Sequence, residues 1–596
     1  MPVGPAQARP APTGAWGRRR AGARSGGSDG HPERTAHLPL PGTPRRRLAC
    51  PGRGSGPPAR ADARDADRGS DVPEDHRSRR AWALAVLCAA QFVSMLDITV
   101  VNLALPSIRR ELGTGVAGLQ WIVGAYVLAF ACFLLSGGSL GDRLGRRRVF
   151  LWGLTVFTAG SLLCAAAQSL GVLVAGRAVQ GVGAALFVPA TLAVLTHLYP
   201  EPGERARAIG VWSGVSALAL PLGPVLGGVL VDALGWASVF WINGPFGLAT
   251  VVLALRVLPA VPALPRRFDV PGQLLAVGWL GCLAAALIEA ERSGWSSPGI
   301  VSLLGLAGVL LAAFLAVEHR SAEPMVPLSL FRDRRFAACN GVLFAVAFGL
   351  LGSFLFLSLF VQQVQGYSPS QAGLRMLPLL LPAAVAAPVA GRLAARYDPA
   401  LPMVCGLLST GTGLLVLTTV EATTPYALWW PALVPVGAGV GLTMAPTNAA
   451  LMGSVPPARA GIASATSIAG QQVGNVLGVA VVGAVVATGF SASLTERVDR
   501  LGLPPSAGRE VVREAVDGGP EAVDPAGARD RAWREEVDAA LTDGMHRGLA
   551  VSGGVYLAGA AAAAVLVPAR RRPRAGPADG RRDGGPQEPD RGAVRR

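Results

Sequence analysis

Long apolar runs follow one another from residue 81 onward, separated by short polar segments. A helix needs about 20 apolar residues in a row to cross the hydrocarbon core of a bilayer. The runs are continuously apolar and lack the alternation that a transmembrane β-barrel requires. The pattern therefore predicts an all-α polytopic membrane protein with fourteen spans, whose approximate ends are 81–105, 118–140, 148–168, 171–195, 206–231, 238–258, 270–290, 299–317, 337–363, 371–394, 400–420, 426–451, 461–488 and 548–567.

Arginine positions give these spans an orientation. Arg143 and Arg146–Arg148 lie between spans two and three, and the later loops on the same side also carry arginine. The opposite loops are mostly poor in arginine, although Arg109–Arg110 beside Glu111 is an exception. Because cytoplasmic loops carry the excess of positive charge, we expect a multi-pass protein of the plasma membrane with both termini cytoplasmic.

The segments outside the spans are polar. Residues 1–79 and 569–596 are rich in arginine, glycine and proline, so each is predicted to be a disordered cytoplasmic tail. An alternative for the first tail is a true start nearer residue 70. Residues 489–547 carry more acid than base. They are predicted to form an extracellular loop, with a short surface helix at Asp530–Leu541.

Composition limits the type of protein and the binding partners that we expect. Hydrophobic residues make up 51% of the chain and charged residues 15%, whereas soluble proteins carry about 25% charged residues. The net charge of +16 lies largely in tails and short loops, where we expect it to contact the lipid bilayer and no nucleic acid. The seven cysteines and six histidines show no ligand spacing, so no metal and no cofactor are expected.

Motifs of catalysis are missing from the sequence. It has no Gly-x-Ser-x-Gly elbow, no phosphate-binding Gly-Lys-Ser/Thr loop and no His–Glu metal motif. We therefore expect no enzyme activity and no ATP-driven pumping by this chain. The energy for transport has to come from an ion gradient or from the substrate's own gradient.

Asp97 lies well inside the first span, and Arg177 lies inside the fourth. A carboxylate within a membrane helix is costly unless it is paired, solvated or protonated. Both residues occupy the outer part of their spans, so they are expected to pair or to compete for one proton. They are the candidates for proton coupling, with a static salt bridge as the alternative, and Gln180 can extend their network.

The loop between spans two and three reads Gly-Gly-Ser-Leu-Gly-Asp-Arg-Leu-Gly-Arg-Arg-Arg over residues 137–148. Its three consecutive arginines keep it on one side of the membrane. Its glycines allow the backbone to approach its neighbours closely. We predict a compact cytoplasmic gating loop formed by Gly138, Asp142, Arg143, Gly145 and Arg146.

The fifth span combines prolines and glycines over residues 219–228. Proline removes backbone hydrogen bonds, and glycine permits bending and close packing. We predict a kinked seal in the outer half of this span, formed by Gly223, Pro224, Gly227 and Gly228. A purely structural kink is the alternative.

Uncharged polar residues inside the spans suggest a substrate cavity. Each is equally compatible with hydrogen bonding between helices. The candidates for the cavity are Asn102, Gln180, Gln362, Asn448 and Gln472.

Together, these segments resemble the major facilitator superfamily, and within it the fourteen-span drug:proton antiporter branch. Residues 138–148 are similar to the loop motif of the superfamily, and residues 96–106 to the first-span motif of that branch. The stretch 177–183 resembles the fourth-span motif, and Gly210 with residues 223–228 resembles the fifth-span antiporter motif.

The resemblance implies a fold and a division of the chain. It implies two six-helix bundles, 80–260 and 331–568, and a linker at 261–330 with two inserted helices. The bundles would rock around a central cavity. By resemblance, Asp97 exchanges protons with the solvent and Arg177 controls that exchange.

These observations predict proton-coupled efflux of small amphipathic or hydrophobic compounds, such as drugs or antibiotics, by alternating access. The expected partners are the small-molecule substrate, protons and lipid, and the expected oligomeric state is a monomer. Two alternatives stay open. One is a proton-coupled importer of a small metabolite, because a fold does not fix a direction. The other is a membrane sensor that transports nothing.

Overall fold

Fourteen long helices make up most of the described chain. The computed structural model describes residues 74–260, 269–321, 324–396, 398–456, 459–500, 508, 512, 513, 515 and 531–567. The helices in this part that are long and apolar enough to cross a membrane are α1 (Glu74–Leu112), α2 (Val116–Leu144), α3 (Arg146–Ala165), α4 (Leu170–Leu198), α5 (Pro202–Leu234), α6 (Ser238–Val257), α7 (Val270–Ser293), α8 (Pro298–Arg320), α9 (Arg334–Val364), α10 (Pro369–Ala394), α11 (Ala400–Leu417), α12 (Tyr426–Met452), α13 (Ala460–Arg500) and α14 (Arg531–Leu566).

The predicted number of spans is confirmed, with different ends. Helix α1 begins at Glu74 and therefore includes the last residues of the predicted N-terminal tail. The rest of that tail, residues 1–73, lies outside the described residues, as do residues 261–268 of the linker and the C-terminal tail.

Two six-helix bundles repeat one packing scheme. In the first bundle, α4 packs on α2 and α3, and in the second, α12 packs on α10 and α11. Glycines allow these close approaches: Gly183 of α4 lies against the backbone of α3, and Gly439 of α12 lies against the backbone of α11. Small residues serve this purpose in lipid, where no hydrophobic effect drives helices together. The predicted fold class is therefore confirmed.

The two inserted helices, α7 and α8, form a pair on one side of the bundles. Helix α7 packs on α8, on α2 and on α13. The Trp121 indole N–H donates to the Glu289 carboxylate at 2.8 Å. The amide of Gln273 donates to the carbonyl oxygen of Cys132 at 3.0 Å. The pair is thus bonded to the first bundle and also contacts the second.

Helical structure extends into both ends of the predicted loop at 489–547, whose extracellular position stays a prediction. Helix α13 continues to Arg500, and α14 begins at Arg531, so the predicted surface helix at Asp530–Leu541 coincides from Arg531 onward with the first part of α14, while Asp530 lies outside the described residues. Apolar residues at helical spacing are the physical reason, because they let the two extensions bury a small core of their own. This core contains Phe490, Leu494, Val498, Trp533, Val537 and Leu541.

Ion pairs hold the two extensions together. The Arg497 guanidinium contacts the Glu536 carboxylate at 2.7 Å and the Asp543 carboxylate at 3.0 Å. The Ser493 hydroxyl also donates to Asp543, at 2.6 Å. Two of the acidic residues on which the loop prediction rested, Glu536 and Asp543, therefore form ion pairs between the two helices.

The helix array has two ends. We call the end at which α1 finishes the Arg109 face, and the end at which α2 finishes the Asp142 face. The bundles contact each other towards the Arg109 face, where α5 packs on the first turns of α10 and α1 packs on α9. Gln120, near the start of α2, also lies against Gly483 of α13. The structure is therefore closed at the Arg109 face.

Candidate functional site

Asp97 and Arg177 form a buried ion pair inside the first bundle. The Arg177 guanidinium donates to Asp97 Oδ2 at 2.5 Å. The two side chains are 0% and 2% exposed, respectively. Arg177 also donates to the carbonyl oxygen of Ile122 at 3.2 Å and to Gln180 Oε1 at 2.9 Å. The expected contact is present, and the arginine has two further acceptors that do not depend on Asp97.

Two amides hold the other oxygen of Asp97. Gln180 Nε2 and Asn243 Nδ2 each donate to Asp97 Oδ1 at 3.0 Å. Both amides also donate to the Ser161 hydroxyl oxygen, at 2.5 Å and 3.0 Å. The carboxylate thus has charge-assisted hydrogen bonds on both of its oxygens in a fully buried site.

Aromatic rings complete the surroundings of the arginine. The Arg177 guanidinium carbon lies 4.4 Å from the centre of the Tyr126 ring and 5.9 Å from that of Phe240. A desolvated cation over an aromatic face gains electrostatic stabilisation. Helices α1, α2, α3, α4 and α6 therefore all contribute side chains to one polar site in an apolar bundle.

Sequence reasoning missed Asn243, Ser161 and Tyr126. A single asparagine within the apolar sixth span is the signal that could have identified Asn243. No comparable signal exists for Ser161 and Tyr126, because serine and tyrosine are common in membrane helices without any special role. Only the packing of the helices brings them to Asp97.

The predicted gating loop is a tight turn between α2 and α3. Gly145 has a φ of 95°, a conformation that strongly favours glycine. The Arg146 guanidinium contacts the Asp142 carboxylate at 3.0 Å and donates to the carbonyl oxygen of Ala193 on α4 at 3.2 Å. Arg143 is exposed. In this arrangement Asp142 therefore pairs within its own loop, and Arg146 ties that loop to α4.

The predicted seal on α5 is packed on both sides. A methyl group on Gly223 would overlap Thr99 of α1, and one on Gly227 would press against Val100. A methyl group on Gly228 would overlap the carbonyl group of Pro369 at the start of α10. Helix α5 continues through Pro221 and Pro224. The segment therefore joins α5 both to its own bundle and to the other bundle.

A comparison with known families decides the identity of the fold. The sequence model of the family described as Major Facilitator Superfamily matches residues 87–479. The chain belongs to the major facilitator superfamily. The match covers the polar pair on α1 and α4 and the glycine-rich α5. The fourteen spans continue beyond the end of the match at residue 479.

Relatives of this facilitator carry the names of resistance proteins. It is 39% identical to the multidrug resistance protein Stp of Mycobacterium tuberculosis over 71% of this chain and 79% of that protein. It is 35% identical to the tetracenomycin C resistance and export protein of Streptomyces glaucescens over 81% of this chain and 91% of that protein. These relatives confirm the drug antiporter branch as the place of this chain in the superfamily.

A solved facilitator structure shows the same fold. A bacterial homologue of the human lysosomal transporter Spinster, in an inward-facing and unoccupied conformation, aligns with a TM-score of 0.57 and 19% identity. The alignment covers 83% of this chain and 98% of that chain.

The five predicted cavity residues of this facilitator divide into three groups. Gln180 is fully buried in the Asp97 site. Gln362 donates to the Ser358 hydroxyl at 3.1 Å, and that hydroxyl donates to the carbonyl oxygen of Asn102 at 3.1 Å. Asn448 is exposed and bonds to its own helix, and Gln472 accepts from Asn475 on the same helix. Gln180 therefore lies in a sealed polar site instead of an open cavity.

An apolar groove of about 550 Å³ lies between the Asp97 site and the Asp142 face. Its α1 wall covers the turns that precede Asp97, and α5 and α6 supply further apolar side chains. The lining residues are Ala81, Leu84, Ala85, Cys88, Ala89, Phe92, Tyr199, Val211, Val215 and Phe246.

Asn243→Ala is expected to lower the stability of this facilitator. The variant loses one of the donors to the Asp97 carboxylate and one donor to Ser161, while Arg177 and Gln180 remain. A buried hydrogen bond to a charged group contributes about 1.5–3 kcal/mol, so a lower unfolding temperature in detergent is expected. An unchanged unfolding temperature would contradict a contribution of Asn243 to the buried polar site.

Proposed function

We propose that this facilitator exports small amphipathic or hydrophobic compounds across the plasma membrane in exchange for protons. The observation that carries the proposal is the Asp97–Arg177 pair, a charged pair that is enclosed by five helices and held by hydrogen bonds to both oxygens of the carboxylate. A relative named for the export of tetracenomycin C supports the direction and the class of compound.

The Asp142 face is cytoplasmic in this proposal. The α2–α3 loop on that face contains Arg143 and Arg146–Arg148. Positive loops are retained in the cytoplasm. The closed Arg109 face is then extracellular, and both termini are cytoplasmic.

The proposed cycle uses Asp97 as the proton carrier. With the Arg109 face closed, Asp97 is charged and paired, and a compound enters from the cytoplasm. Opening of the Arg109 face then lets a proton from outside reach Asp97. Neutral Asp97 releases Arg177, whose charge is still stabilised by the carbonyl oxygen of Ile122 and by Gln180. Return of the bundles delivers the proton to the cytoplasm, and Arg177 re-forms the pair.

The apolar groove supports the proposed class of compound. Its lining is apolar apart from the Tyr199 hydroxyl and the Cys88 thiol. Apolar pockets with few polar groups bind by buried surface and tolerate varied shapes. We therefore propose a broad range of lipophilic compounds, without a strict requirement for charge.

Accumulation assays test the export function. Cells that lack their major efflux pumps are given ethidium, tetracenomycin C and a panel of lipophilic antibiotics, with and without the expressed chain. We expect lower accumulation and higher resistance for part of the panel, and a protonophore should remove both effects. Equal accumulation throughout the panel would contradict export. An effect that survives the protonophore would contradict proton coupling.

A further inference from the structure

We infer that Asp232 on α5 is the positioning residue that holds the Arg109 face closed. Its carboxylate crosses from the first bundle to the second and binds the beginning of α10. Asp232 Oδ2 accepts a hydrogen bond from the Ser368 hydroxyl at 3.1 Å and another from the backbone N–H of Ser370 at 3.0 Å. Asp232 therefore caps a helix of the opposite bundle.

The first turn of α10 is otherwise capped by its own side chains. The Ser368 hydroxyl accepts from the backbone N–H of Gln371 at 3.4 Å, and Gln371 Oε1 accepts from the backbone N–H of Ser368 at 3.4 Å. This capping box satisfies two donors and leaves the N–H of Ser370 available. Asp232 takes that remaining donor, and a carboxylate is favoured at this end of a helix.

The backbones at this contact touch. Gly228, one turn before Asp232, lies against Pro369 and Ser370, and Gly373 of α10 lies against Pro224. Such an approach is compatible only with glycine at both positions. The hydrogen bonds of Asp232 and the glycine contacts therefore break together when the bundles separate at this face.

Two other charged residues near this face, Glu111 and Arg109, act within a bundle or at another contact. Glu111 accepts from the Trp236 indole at 2.8 Å, and both residues belong to the first bundle. The Arg109 guanidinium donates to Gln363 of α9 at 2.9 Å, which gives the face another polar contact between bundles, beside the Ser358–Asn102 bond. Asp232 differs from these two residues because its carboxylate binds a backbone N–H of the opposite bundle, and that donor stays in place whichever rotamers the side chains of α10 adopt.

Opening of the Arg109 face consequently requires the loss of two hydrogen bonds to a charged acceptor. Removal of the Asp232 carboxylate is expected to increase the population that is open at this face by about tenfold, the effect of one charge-assisted hydrogen bond at an exposed site. This inference concerns the opening equilibrium, so it holds whether or not Asp97 carries protons.

Cysteine labelling in detergent tests the inference. The full chain is purified with its native cysteines replaced and with a single reporter, Ser358→Cys, at a position that is 0% exposed between α9 and α1. The probe is a polar maleimide. We expect Asp232→Ala to be labelled about tenfold faster than the parent, and Asp232→Asn, which keeps an acceptor oxygen but loses the charge, to lie between them.

Two controls separate opening from general loosening. Glu111→Ala removes an exposed acid of the same face that is bonded within one bundle, so the labelling rate should stay at the parent value. A second reporter, Ala85→Cys, lies in the groove towards the Asp142 face, and its rate should not rise in Asp232→Ala. An unchanged rate at Ser358→Cys, or an equal rise at both reporters, would overturn the inference.

Discussion

Proton-driven transport is expected to fall to the level of protein-free vesicles when Asp97 is replaced by asparagine. The variant keeps the size of the side chain, but it replaces one acceptor oxygen by an NH2 donor and cannot take up and release a proton. Arg177 then lacks its counter-ion in a site that is 2% exposed. Because breaking a buried pair costs about 3–5 kcal/mol, a lower unfolding temperature is also expected.

A second variant separates loss of coupling from loss of stability. Asp97→Asn combined with Arg177→Gln removes both charges, so the unfolding temperature should recover while proton-driven transport stays absent. Glu289→Gln is the matched control, since Glu289 is an acid on a membrane helix that accepts from Trp121. Transport is measured as uptake driven by an imposed pH gradient. Full activity of Asp97→Asn would contradict the proposed mechanism.

Gly228→Leu is expected to wedge the Arg109 face open and to stop turnover. The new side chain overlaps the backbone of Pro369 and Ser370, and overpacking of this kind costs about 1–3 kcal/mol. The closed arrangement bears this cost, so its population relative to the open one should fall by about 5–150-fold.

Gly214→Leu is the control on the same helix. A Cβ atom at Gly214 meets no other atom within 4 Å, so this variant adds the same side chain without a clash. Labelling of Ser358→Cys gives the opening, and uptake in vesicles gives the turnover. Slow labelling of Gly228→Leu together with normal uptake would show that the close contact of α5 with α10 is not required.

The sequence was sufficient for the fold and for the central pair. Fourteen apolar runs fix the number of spans, and an aspartate and an arginine inside such runs are costly enough to indicate a function. Their contact followed from similar depth in two spans. The partners Asn243 and Ser161 did not follow, because uncharged polar residues in membrane helices carry no such cost and indicate no particular neighbour.

The extended ends of α13 and α14 show a different limit. Phe490, Leu494 and Val498 have helical spacing, but the surrounding residues are charged and the mean hydropathy falls below that of a span. The extension becomes favourable because apolar residues of α14, among them Trp533, Val537 and Leu541, face it. Asp232 was missed for a similar reason, since its acceptor role depends on a helix that follows it by more than a hundred residues.

The exchange of protons for substrate is tested most directly by the direction of proton movement. Proteoliposomes are loaded with a pH-sensitive dye and the best-exported compound of the accumulation panel, at equal pH inside and outside, and are then diluted. We expect the lumen to become more acidic as the compound leaves, in either orientation of the protein, and we expect no change with Asp97→Asn. Alkalinisation of the lumen would indicate symport, and a constant pH during flux would indicate transport without protons; either result would contradict the exchange.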